Sequence, residues 1–267
     1  MAVVQAPVVA GMFYPGDPEQ LRADVLSYLD AVQAPDQAID QDDAPKAMIV
    51  PHAGYQYSGP VAASAYARLL PVSDRIERVV LMGPSHRVAL HGIAASGADF
   101  FETPLGRIPV DREALARLQG LGNVGRADVA FAREHSLEVH LPFLQTVLGG
   151  FSLVPFVVGQ AEEDEVAAVL EALWGGPETL IVISSDLSHY HDYTTCQGLD
   201  AETTRRIVAL EGRSLTGHDA CGVYPVRGLL RAARRLGLTA SVADVRNSGD
   251  TAGPRDRVVG YGSYLFH

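Results

Sequence analysis

Basic residues are scarce in this chain: Lys and Arg number 21 against 32 Asp and Glu, a formal net charge of −11. Nucleic-acid backbones and anionic membrane surfaces are bound through basic patches, so neither is expected as a partner. Arg231, Arg234 and Arg235 lie along one expected helix face and read as solvated. Cysteine is nearly absent; Cys196 and Cys221 alone make no disulfide framework. No apolar run approaches the ~20 residues of a membrane helix. Met1–Gly11 has neither the positive charge nor the long apolar segment of a secretory signal. A cytoplasmic protein with reduced thiols is the expectation. A P-loop and a dinucleotide G-x-G-x-x-G are also missing, which argues against nucleotide cofactors. No linker, low-complexity segment or internal repeat divides the 267 residues, so residues 1–267 read as a single domain with a sizeable core.

What is present is a pattern of apolar runs that end in histidine. Leu180–Ile183 stops at Ser184-Ser185 and is followed by Asp186, His189 and His191. Ala47-Met48-Ile49-Val50 leads into Pro51-His52, and Arg78-Val79-Val80-Leu81 leads through Gly83-Pro84-Ser85 into His86. Continuous β-branched runs suit strands buried on both faces of a parallel sheet, and ligands of open α/β sheets bind beyond the carboxyl ends of such strands. The fold class expected is α/β, with a central, largely parallel sheet flanked by helices.

Along the chain, Asp17 as N-cap, Pro18 at N1 and Gln20 three residues on open a helix that runs to about Ala34. Residues 35–45 are acidic and proline-bounded and read as an exposed loop. Ala47–Val50, the alanine-rich helix Pro60–Leu70 and Arg78–Met82 form a βαβ unit, which puts His52 and His86 at the same end of neighbouring parallel strands. Gly92–Ser96 is a short strand, Phe100–Val110 a hairpin turning near Pro104–Gly106, and Asp111–Leu118 a helix capped by Asp111. Arg133–Leu148 is helical in pattern apart from Pro142. Ser152–Val158 is a strand and Glu162–Trp174 a helix with Val166, Val169, Leu170 and Leu173 on one stripe. Helices around Asp200–Leu210 and from Asp219 to Leu236 precede the last strands, Val242–Arg246 and Val258–Phe266, which flank the loop Asn247–Pro254.

Each histidine has an ordinary reading as a turn or capping residue. His52 and His86 at adjacent strand ends nevertheless point together to a metal or catalytic site. Asp186 and His189, three apart, face one pocket if the turn between them is helical, and a carboxylate beside an imidazole readies it for proton transfer; an N-cap aspartate with a solvated histidine is the alternative. His191, two residues further, diverges. His135 and His140 are five apart, not the four of H-E-x-x-H, so His135 and Glu138 read as residues that support the site's ligands, serve the structure or line the pocket. Cys221 near a helix start would have its thiol pKa lowered, against the base-rate reading of a small buried hydrophobe. Cys196 reads as structural.

The ordered segments PHAGYQYSG, GPSHR, EHSLEVHLPFLQ, LVPFVVG, ISSDLSHY, CGVYPVRGLL and RVVGYGSYLF, spread from Ala10 to Phe266, resemble the MEMO family. That family is similar in fold to the catalytic subunits of class III extradiol ring-cleaving dioxygenases, which are non-haem iron enzymes. The resemblance implies that His52, His86 and Cys221 bind metal and that His189 handles protons with Asp186 beside it. It also implies that Phe13, where animal members have a tryptophan, and Tyr55 of PHAGY border the pocket. Two histidines and a thiolate leave open positions on the metal, for which Fe(II) is expected first, then copper, then zinc. The expected activity is that of a metal-dependent, dioxygenase-like oxidoreductase acting on a small-molecule or peptide ligand. The alternatives are a non-catalytic peptide- or metabolite-binding protein using the same pocket and a zinc-dependent hydrolase. In the prokaryotic branch the resemblance implies a functional link to radical-SAM and AMMECR1-like proteins.

Overall fold

A computed structural model describes residues 2–32, 44–118, 120–121 and 124–267; most of the expected 35–45 loop, and the end of the first expected helix, lie outside them. The chain runs β1 Val4–Gln5, α1 Pro18–Ala31, β2 Ala47–Val50, α2 Tyr55–Tyr66, β3 Arg78–Pro84, β4 Ile93–Ala95, β5 Phe100–Thr103 and β6 Gly106–Pro109. It continues with α3 Arg112–Ala116, β7 Val124–Arg126, α4 Leu141–Leu148, β8 Ser152–Val158, α5 Glu163–Ala172, β9 Thr179–Ser184, β10 His189–His191, α6 Tyr193–Val208, α7 Val223–Leu236, β11 Ala240–Asn247 and β12 Val258–Phe266. No helix among the described residues is long and apolar enough to cross a membrane.

The main sheet has the order β10-β12-β2-β9-β3-β8-β4-β7, with β11 on β12. Its central strands β2, β9, β3 and β8 are parallel, and its flanks are mostly antiparallel. Successive side chains of a strand point to opposite faces, and the core divides accordingly. Met48, Val50, Val79, Leu81, Leu180 and Val182 pack under α1, α2 and α4, while Ala47, Ile49, Val80, Met82, Ile181 and Ile183 pack under α5 and α7. Helices therefore cover both faces, as the continuous apolar runs require.

Local signals hold at many boundaries. Asp17 accepts from the Gln20 amide and Asp111 from the Ala114 amide, and Phe100–Pro109 forms the expected hairpin. Four expectations change. The strands before His52 and His86 are parallel but not neighbours, because β9 lies between them. All six residues of β9 are buried, and a strand without a polar edge or face belongs in the middle of the sheet. α2 starts at Tyr55 rather than Pro60, with Gly54 accepting the amides of Tyr57 and Ser58. Pro142 does not interrupt a long helix; it sits in the first turn of α4, where its missing N–H costs nothing. α7 starts at Val223 with Gly222 as N-cap, so Cys221 precedes the helix.

Candidate metal centre

The carboxyl ends of β2, β9 and β3 deliver Pro51-His52, Ser185-Asp186 and Ser85-His86 to one edge of the sheet. Gly83 makes this approach possible: a Cβ there would lie 2.7 Å from Ser136 Oγ. The segment before α4 brings His135 to the same place. Ring centroids of His52 and His86 are 5.1 Å apart, those of His52 and His135 5.5 Å, and those of the stacked His86 and His135 4.8 Å. Each of the three offers one nitrogen, and these nitrogens lie within 4.8 Å of one another.

Two of the rings are held in a defined tautomer. Ser184 Oγ donates its only proton to the Ser136 carbonyl at 2.6 Å, so it accepts from His52 Nδ1 at 2.6 Å. His86 Nδ1 donates to Glu134 Oε1 at 2.9 Å. Both arrangements occupy Nδ1 and leave Nε2 as the ring nitrogen a metal would take. Glu134 does more than hold this ring, since it also accepts the amides of His86, His135 and Ser136. Burial works to raise its pKa, yet the His86 ring and these amides hold it down at about 2. Burial also holds His52 and His135 neutral: His52 lies well below its usual value, with the neighbouring imidazoles adding to the effect, and His135 is lowered to about 4. Converging imidazoles, two of them anchored through Nδ1, fit a divalent transition metal.

A cavity of about 850 Å³ opens above this group, lined by His52, His86, His135, Asp186, His189, Phe13 and Tyr55 among others. Phe13 stands edge-on to His135 at 4.9 Å, and Tyr55 ties the wall to the core by donating to the Val139 carbonyl. His189 donates Nδ1–H to the Leu187 carbonyl at 2.8 Å, which fixes the ring through that nitrogen. Asp186 and His189 share the cavity without a helical turn between them. Asp186 Oδ1 accepts the His52 amide at 2.7 Å, so it braces the His52 turn, while the Leu187 carbonyl orients His189. Burial pushes Asp186 up to about 6 against the lowering effect of His189.

Cys221 stands outside the three-nitrogen group, although its Sγ is 3.4 Å from His52 Nε2. It takes the Asp186 amide at 3.3 Å, and Gly222 allows the close approach: a Cβ there would lie 2.5 Å from the Ser184 carbonyl. The expected helix-lowered thiol is not found, because Cys221 precedes the helix; burial, with Asp186 adding, pushes the thiol up. Glu138 faces away from the cavity and ties down the N-terminal segment, accepting from the Val8 and Val9 amides and from Tyr14 Oη. His191 is exposed. Cys196 is buried and donates to Asp200, whose other oxygen accepts the Ser188 amide. Sequence reading passed over Ser184 and the anchoring role of Glu134; a serine ending an apolar strand and a carboxylate abutting a histidine were the available signals.

Comparison with known proteins places these features in a family. A family model described as "Memo-like protein" matches residues 5–265. A MEMO1 family protein of Methanopyrus kandleri is 33% identical over 279 residues, covering 98% of both chains. One from Sulfolobus acidocaldarius is 34% identical over 290 residues, covering 99% of both. Among solved structures, an uncharacterized protein from Escherichia coli K12 aligns with a TM-score of 0.50 at 12% identity, over 82% of this chain and 98% of that one, a likeness of fold alone. With a family model and curated relatives both spanning nearly its whole length, the chain belongs to the Memo family.

Proposed function

We propose that this protein is a metal-dependent oxidoreductase that uses Fe(II) and acts on a small molecule in the cavity above the three histidines. The observation that carries the reading is the convergence of His52, His86 and His135, each offering a nitrogen within 4.8 Å of the others. His52 and His86, anchored by Ser184 and Glu134, would hold the metal with His135. The bound metal would supply Lewis acidity and a redox couple. His189, fixed through Nδ1, accepts or returns a proton at Nε2, and Asp186 keeps the His52 turn in place beside it. Phe13 and Tyr55 offer the ligand an aromatic wall.

A second ligand set rests on a separate observation, the 3.4 Å between Cys221 Sγ and His52 Nε2. There the thiolate replaces His135 as third ligand and softens the site towards copper. The test is metal analysis of anaerobically purified protein with His52→Ala, His135→Ala and Cys221→Ala. Loss in His52→Ala is expected under both sets, and the other two variants identify the third ligand. Stoichiometric metal retained in all three overturns the site. Zinc loading with ester or amide hydrolysis, and no dioxygen uptake by the iron-loaded protein, overturns the oxidoreductase reading in favour of a hydrolase.

A further inference from the structure

The cavity wall carries two guanidinium groups that the metal chemistry does not use. Arg87 directly follows His86, and its charge is felt at His135. Arg257 stands on the other functional side, 4.4 Å over the ring of Tyr190, which in turn lies 5.6 Å from the His189 ring. Among the described residues neither guanidinium has a carboxylate within ion-pair distance; what sets these two arginines apart is that both line the cavity. In a chain of net charge −11, two arginines on one concave wall place positive charge where a ligand would sit.

We propose that Arg87 and Arg257 are specificity-determining residues that select a small carboxylate-bearing ligand for this cavity. The claim rests on the functional reading above, since it places that ligand beside the metal site. A planar guanidinium offers paired N–H donors that match a carboxylate, and near a low-dielectric wall each such contact is stronger than in water. The wall also carries Asp24 and Asp186. Two guanidiniums against two carboxylates leave little excess positive charge, which suits a monoanion better than a phosphate dianion. About 850 Å³ is the size of a small-molecule pocket rather than a surface for a folded partner. The rings of Phe13, Tyr57 and Tyr261 on the same wall supply apolar contact.

The test is calorimetric titration of the full-length protein with benzoate, its neutral isostere benzamide and phenyl phosphate. Wild type, Arg87→Gln, Arg257→Gln and Arg87→Lys are each measured metal-loaded and after chelation, with metal content determined on the same samples. Benzoate should bind wild type at least about tenfold more tightly than benzamide. That preference should fall about tenfold in each Gln variant and be partly kept in Arg87→Lys, in chelated protein as well as loaded. Equal binding of benzoate and benzamide, a preference unchanged in both Gln variants, or tighter binding of phenyl phosphate overturns the proposal. A preference that disappears on chelation also overturns it, because the metal rather than the arginines would then be the anion site. Absence of metal in wild type, with the preference intact, would count against the metalloenzyme reading alone.

Discussion

Glu134 and Asp186 are two buried carboxylates in contact with the same group of imidazole-bearing turns, and they behave in opposite ways. Glu134 is held down at about 2, whereas Asp186 is pushed up to about 6. Burial is the largest influence on both and acts in the same direction. The difference lies in what each carboxylate receives. Glu134 accepts a ring N–H and three backbone amides. Asp186 accepts amides from His52 and Ala53, which only partly replace lost hydration. One corner of the site is therefore built around a fixed negative charge that orients metal ligands. The other holds a carboxyl that changes protonation with modest cost.

The strongest way to break this contrast is Glu134→Ala. Removing the anchor of His86 should weaken metal binding by about 10–100-fold, measured by chelator competition. Leaving the buried Ser136 amide and the part-buried amides of His86 and His135 without their acceptor should also lower unfolding stability by about 1–3 kcal/mol. Unchanged metal affinity would show that the Glu134 corner is merely structural. Asp186→Asn should be milder towards metal, below about tenfold, because the amide oxygen can still accept from His52. Its signature is in pH. With its folded pKa raised from 3.8 to about 6, Asp186 contributes stability that is present at low pH and lost as pH rises between those values. Chelated Asp186→Asn should therefore gain on wild type across that window, by about 1.4 kcal/mol per pH unit at most, in urea unfolding. A gap that does not change with pH would remove the contrast.

His140 sharpens the comparison from outside the site. It is buried, hydrogen-bonded to Tyr66 through Nδ1, and lowered by burial from 6.5 to about 3. The unfolded chain takes up the proton first, so stability falls as pH drops through that interval. His140→Phe should reduce the slope there by up to one proton's worth, about 1.4 kcal/mol per pH unit. An unaltered slope would locate the acid sensitivity elsewhere. The smallest effect is expected for Arg235→Ala, which removes exposed ion pairs to Asp164 and Glu171; the unfolding midpoint should not move measurably.

Much of the site could be read from residues alone because its histidines directly follow apolar strands. His52, His86, Asp186 and His189 all line one cavity. His135 was harder to place, since its spacing to His140 matches no ligand motif and its segment forms no regular helix before residue 138. Glu138 looked similar in sequence but turns to the N-terminal segment, 124 to 130 residues away. Cys221 was placed in a helical first turn that begins two residues later. In each case a contact distant in sequence decided which way the side chain faces, and no local pattern encodes it.

Strand alternation, proline and aspartate at helix starts, and the polar stop after each apolar run are local properties. They act within a few residues, so the order of elements, the α/β class and the strand-end position of the histidines were determined by sequence alone. Sheet order was decided by packing: β9, buried at every position, separates the two strands that carry His52 and His86. The same tertiary contacts selected His135 for the nitrogen group, placed Cys221 against His52, and shifted the carboxyls of Glu134 and Asp186 in opposite directions. Those outcomes depend on burial and on hydrogen bonds spanning 48 to 169 residues, which exist only once the chain is folded.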